Sequence, residues 1–170
     1  MNLEQARFNM IEQQVRPWEV LDPQVLALLG EVKREDFAPA VHKALAFVDM
    51  DLPLTQPAVE GQCMLSPRVE ARMVQDLQLQ ATDKVLEIGT GSGFSAALMA
   101  RLAQEVLSLE IDPALASRAR THLMQAGLNN VDVRQADAAA NDFTATRRES
   151  LGTNGMAGLL FGDRRDFPLS

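Results

Sequence analysis

Apolar positions recur along this chain in two patterns, helical through the first half and extended in short runs after it. Between Asn2 and about Val15, Leu3, Ala6 and Met10 recur at helical spacing with Phe8 and Ile11 beside them, and Pro17 ends the run. Asp22 before Pro23 supplies an N-cap and a first helical position, so a second helix is expected from Pro23 to about Val32. Lys33 to Asp36 reads as a solvated charge run, Pro39 punctuates a loop, and Val41 to Phe47 fits a short helix. Asp49 to Gly61, with Pro53 and Pro57, has few periodic apolar residues and reads as extended and irregular. Ser66 and Pro67 open a helix to about Leu79 that should bury Val69, Met73, Val74 and Leu77.

The pattern changes at Lys84. Val85, Leu86 and Ile88 make the short apolar run of a buried parallel strand, interrupted by Glu87. Gly89, Gly91 and Gly93 follow at alternate positions, and Ser95 to Leu102 are rich in Ala, Leu and Met, a helical composition. Strand, glycine turn and helix in that order form the first unit of a Rossmann-like fold, with the turn where such sheets bind ligands. A second strand is expected at Val106–Ile111 and a helix from Asp112-Pro113 to Ala126, stopped by Gly127. A third strand, Val131–Gln135, alternates and is followed by Ala136 and Asp137. The expected class is therefore α/β: a mostly helical extension over residues 1–80, a Rossmann-like unit over 81–143, and a tail over 144–170.

The glycine spacing narrows the ligand. A dinucleotide fingerprint places its third glycine three residues after the second, and here that position is Phe94. The chain has E-x-G-x-G-x-G from Glu87 to Gly93 instead, which resembles the first motif of class I methyltransferases, the binders of S-adenosylmethionine. Glu110 closes the second strand about 20 positions on, where a carboxylate suits ribose hydroxyls. An NAD-binding or ligand-free unit is the competing reading. Ser66, read from helix chemistry alone, is an N-cap. The loop before it also ends at a helix N-terminus, where backbone N–H groups favour anions.

Composition trims the alternatives. A net charge of −7 gives no general attraction to nucleic acid, which weighs against an RNA or DNA methyltransferase. No apolar run approaches a membrane span, the start MNLEQARF has no signal-peptide core, and Cys63 is the single cysteine, so a cytoplasmic location is expected. His42 and His122 have no partners at metal-ligand spacing and read as surface or boundary residues; no metal is expected.

The segments REDFAP (Arg34–Pro39), AFVD (Ala46–Asp49), LPL (Leu52–Leu54), G-x-x-x-L-S-P (Gly61–Pro67) and VLEIGTGSGF (Val85–Phe94) together resemble protein-L-isoaspartate O-methyltransferases. The similarity runs from the N-terminal helix to about Phe143. It implies methyl transfer from S-adenosylmethionine to the abnormal α-carboxyl of isoaspartyl residues in damaged proteins. By resemblance Ser66 falls on the active-site serine or threonine position, although CMLSPRVEAR departs from the threonine-isoleucine-serine sequence of many members. Glu87, Gly89, Gly91, Gly93 and Glu110 fall on cofactor positions, and Asp137 on an acidic residue that bonds the adenine amino group, with a turn cap as its plain alternative. A carboxylate is ionised at neutral pH, so transfer needs placement more than a strong base.

From about Thr144 the resemblance stops. Only Met156–Phe161 is strand-like, weakened by Gly158, and Arg147, Arg148, Arg164 and Arg165 make the tail locally basic. The family pattern leads one to expect a truncated or frame-altered chain, an incomplete sheet with Lys84–Ile88 at an exposed edge, and self-association through that edge. A non-catalytic remnant that binds nucleotide or a partner chain, and a small-molecule methyltransferase, remain the rival functions.

Overall fold

The computed structural model describes residues 2–138 and the backbone of the strand at 156–160. Helix α1, Leu3–Met10, starts at Asn2, whose side chain accepts from the N–H groups of Glu4 and Gln5. It continues through a π-helical turn, Ile11–Val15, and a 3-10 turn, Arg16–Trp18, to a left-handed Glu19. Helix α2, Pro23–Glu31, is capped by Asp22 as the Asp-Pro pair requires. The Val41–Phe47 segment is a 3-10 helix over Ala40–Leu45. Within the irregular stretch, β1 (Leu52–Pro53) pairs antiparallel with β2 (Cys63–Met64), joining the ends of the 52–64 segment.

Helix α3 spans Pro67–Leu77, and its fully buried face is Pro67, Glu70, Ala71 and Val74. Val69, Met73 and Leu77 are only partly buried, so the face lies about one position from the expected one. Strands β3 (Lys84–Ile88), β4 (Glu105–Glu110) and β5 (Val131–Gln135) alternate with α4 (Phe94–Leu102) and α5 (Pro113–Gln125). All strand pairings in this sheet are parallel, in the order β5-β4-β3-β6, with β6 at Met156–Leu160.

Lys84–Ile88 is not an exposed edge: β6 runs beside it, with Leu86 opposite Gly158 and Ile88 opposite Leu160. A parallel neighbour satisfies the backbone groups on that side of β3, and Gly158 does not prevent the pairing. The rest of the tail lies outside the described residues. The charge run Lys33–Asp36 is solvated only at its ends: Lys33 and Asp36 are exposed, while Arg34 and Glu35 are 1% and 3% exposed. Each has a buried ionic partner, Glu70 for Arg34 and Arg7 for Glu35, which is what keeps such charges inside.

The sheet's register sorts its two faces. Val85 and Val106 join the main core, which runs without a break from Met10, Val25 and Leu29 through Val74 to Phe94 and Leu98. Leu86, Leu107 and Leu109 form a separate cluster, as alternation along a strand demands. The helical extension and the sheet therefore share one core. Among the described residues, no helix is long and apolar enough to cross a membrane.

Candidate cofactor and active site

Parallel strands all end on one edge of a sheet, and here that edge gathers most of the residues singled out by sequence. Gly89, Gly91 and Gly93 have φ of 90°, 54° and 85°, a left-handed run in which side chains other than glycine's are strained. The loop is tied to β4 at its start, where the Gly89 N–H donates to the Leu109 carbonyl at 2.7 Å. It is tied again at its centre, where the Gly91 N–H donates to the Glu110 carboxylate at 2.8 Å. The second Glu110 oxygen accepts from the Asp112 N–H at 3.0 Å. Glu110 is thus held by two backbone donors, with lone pairs left over for a ligand's hydroxyls. Asp137 stands two residues beyond β5 at the same edge, exposed, and the preceding Ala136 N–H donates to the Glu110 carbonyl.

The extension closes over this loop. A Cβ on Gly91 would sit 3.2 Å from Leu54 Cδ1, and one on Gly93 would sit 3.3 Å from Ala119 Cβ on α5. Gln62 donates to Asp112 Oδ2 at 3.4 Å, so the 52–64 segment reaches the cap of α5 as well.

Glu87 is in a different position from the other candidates. Its side chain points into the main core, and the residue is 0% exposed. Register places it opposite Ser108, whose hydroxyl donates to Glu87 Oε2, while Thr90 Oγ1 lies 2.5 Å from Ser108 Oγ. Glu87 Oε1 has no partner. Burial pushes this carboxyl up to about 8; the Ser108 bond opposes the shift, and the charges of Glu70 and Glu110 add to it. An unsatisfied polar atom thus belongs to the residue two positions before Gly89, at the root of the glycine loop, where a ligand-binding turn is a reason for it.

Ser66 stands at the N-cap position of α3 as expected, 6% exposed, but its hydroxyl makes no cap bond to the helix. Its N–H is taken by Asp51 Oδ1 at 2.7 Å. Asp51 and the residues that fix this loop, Arg34, Glu70 and Ser95, were not legible as site residues. For Glu70 a signal existed: it lies one helical turn before Val74, on the same face. Asp51 carries no such mark. His122 is a boundary residue whose Nδ1 lies 2.9 Å from the Ser92 carbonyl oxygen.

A parallel sheet with a left-handed glycine loop after one strand, and a glutamate closing the next that accepts from that loop, defines a Rossmann-like class I methyltransferase fold. A family model described as protein-L-isoaspartate(D-aspartate) O-methyltransferase matches residues 5–141, and the chain belongs to that family. Protein-L-isoaspartate O-methyltransferase 1 of Rhodopseudomonas palustris is 41% identical over 133 residues, 78% of this chain and 53% of the relative. Protein-L-isoaspartate O-methyltransferase of Protochlamydia amoebophila is 42% identical over 130 residues, 76% of this chain and 60% of its own length. The chain thus spans little more than half the length of these relatives. Among solved structures, a protein-L-isoaspartate O-methyltransferase superposes with a TM-score of 0.63 over 79% of this chain and 42% of its own, at 22% identity. A Plasmodium falciparum protein described as a putative member, in complex with S-adenosyl-L-homocysteine, gives 0.61 over 86% of this chain and 69% of its own, at 15% identity. Both support the fold.

Proposed function

We propose that this chain binds S-adenosylmethionine at the glycine loop and serves methyl transfer to the α-carboxyl of L-isoaspartyl residues in damaged proteins. The observation that carries the reading is Glu110, buried at the end of β4, with its carboxylate fixed by the Gly91 and Asp112 N–H groups. A preset carboxylate with spare lone pairs suits a ribose diol, and Asp137 at the neighbouring strand end suits the adenine amino group. Gly89 and Gly91 hold the left-handed turn beside Glu110, and the buried Glu87 precedes that turn on β3.

When bound, the cofactor supplies a methyl group on a positively charged sulfur, an electrophile that an ionised carboxylate attacks directly. What the chain must add is position. In this reading Ser66, at the start of α3, orients the substrate carboxyl by its hydroxyl, and the 52–64 segment covers the loop at Gly91. Incubation with S-adenosylmethionine and an isoaspartyl peptide tests the reading. Base-labile methyl ester on that peptide and none on its aspartyl twin is expected. Equal labelling of both, or of neither, overturns it.

A further inference from the structure

Arg34 is almost wholly buried, and each of its three guanidinium nitrogens donates a hydrogen bond. Nε donates to the Ala46 carbonyl at 2.8 Å, Nη1 to Glu70 Oε2, and Nη2 to the Leu65 carbonyl. The guanidinium carbon lies 5.1 Å from the centre of the Phe94 ring, the first residue of α4. Glu70 Oε1 in turn accepts from Ser95 Oγ at 2.7 Å, in the first turn of α4. One planar cation therefore bonds the carbonyl just before Ser66, the carboxylate one turn into α3, and, through that carboxylate, the helix that begins where the glycine loop ends.

We infer that Arg34 is a positioning residue: through Leu65 and Glu70 it fixes the loop carrying Ser66 against the start of α4, and so sets the substrate side relative to the cofactor side. This rests on the proposed reading of Ser66. A buried ion pair is weak evidence of stability by itself, since an apolar replacement is often as stable. The fork of donors is what an apolar residue, or lysine, would not reproduce.

Arg34→Lys keeps the charge opposite Glu70 but gives up simultaneous bonds to Ala46 and Leu65. Ser95→Ala is the milder companion, removing only the link to α4. Arg7→Lys perturbs the other buried pair, Arg7 with Glu35, and serves as the control for loosening a buried ion pair. Cys63, partly buried and two residues before Leu65, reports on the loop through its rate of reaction with a thiol reagent in the ligand-free protein. Arg34→Lys, and Ser95→Ala to a smaller degree, should speed Cys63 labelling several-fold and leave adenosylhomocysteine affinity within about a factor of two. Turnover on isoaspartyl peptide should fall by about 100-fold in Arg34→Lys, the scale of a ~1 Å misplacement. Arg7→Lys should change none of the three. Wild-type labelling rates in Arg34→Lys, or parallel losses of affinity and turnover in both arginine variants, overturn the inference. If the wild-type protein forms no ester, the proposed function fails, and the Cys63 rates still decide whether Arg34 fixes the loop.

Discussion

Glu87 and Glu110 sit on the same face of neighbouring strands, both buried, and their surroundings give them opposite characters. Glu110 meets two backbone donors at the open edge; Glu87 meets one hydroxyl inside the core. Between the ordinary glutamate value of 4.5 and about 8, folded Glu87 keeps a proton that the unfolded chain releases. Stability from this group is therefore full below 4.5 and falls as pH rises through that window, by about 1.4 kcal/mol per pH unit at the steepest. Glu87→Gln, neutral throughout, should raise the thermal midpoint relative to wild type more at about pH 9 than at about pH 6. A gap that does not change with pH would mean Glu87 is ionised in the fold. For Glu110→Ala, calorimetry should show adenosylhomocysteine binding weakened by roughly 1.5–3 kcal/mol, the range for a charged hydrogen bond. Equal affinities would remove Glu110 from the site.

At the scale of elements, glycine serves three separate purposes that substitution can tell apart. Gly93 combines a φ of 85° with a Cβ position 3.3 Å from Ala119, so Gly93→Ala meets both strain and packing. Gly127 has a φ of 71° but open space around its Cβ position, leaving strain alone, about 1–2 kcal/mol. Gly30, inside α2, has open space and no positive φ, so alanine there should stabilise by about 0.4–1 kcal/mol. Urea unfolding should rank the variants Gly30→Ala above wild type, then Gly127→Ala, then Gly93→Ala. A Gly93→Ala no worse than Gly127→Ala would show that α5 yields to the added methyl. The element ends were legible where the sequence marks them locally. Asp22-Pro23 and Asp112-Pro113 both start helices, and each aspartate accepts from two N–H groups. Ser66-Pro67 has the same local form without the cap bond. Its backbone N–H is held instead by Asp51, fifteen residues away, which no local pattern shows.

For the whole molecule, the sequence was most readable where one residue's neighbours in sequence determine its state, and least where distant segments meet. The glycine loop and the β3–α4–β4–α5–β5 order followed from local pattern, and with them Gly89, Gly91, Gly93 and Glu110 at one edge. Arg34 and Glu35 looked solvated because their partners, Glu70 and Arg7, lie 36 and 28 positions off. The β6 pairing was missed because a strand weakened by glycine gains its stability from its neighbour rather than from its own composition. That pairing puts β3 between β4 and β6, so strand order reverses beside the glycine loop, where sheets of this kind form their binding crevice. This edge is the proposed S-adenosylmethionine site, and calorimetric titration of the protein with adenosylhomocysteine, with NAD in parallel, is the deciding measurement. Saturable adenosylhomocysteine binding at one site per chain, with NAD at least about tenfold (1.4 kcal/mol) weaker, is the expected result. Tighter binding of NAD, or no heat from adenosylhomocysteine, would contradict it.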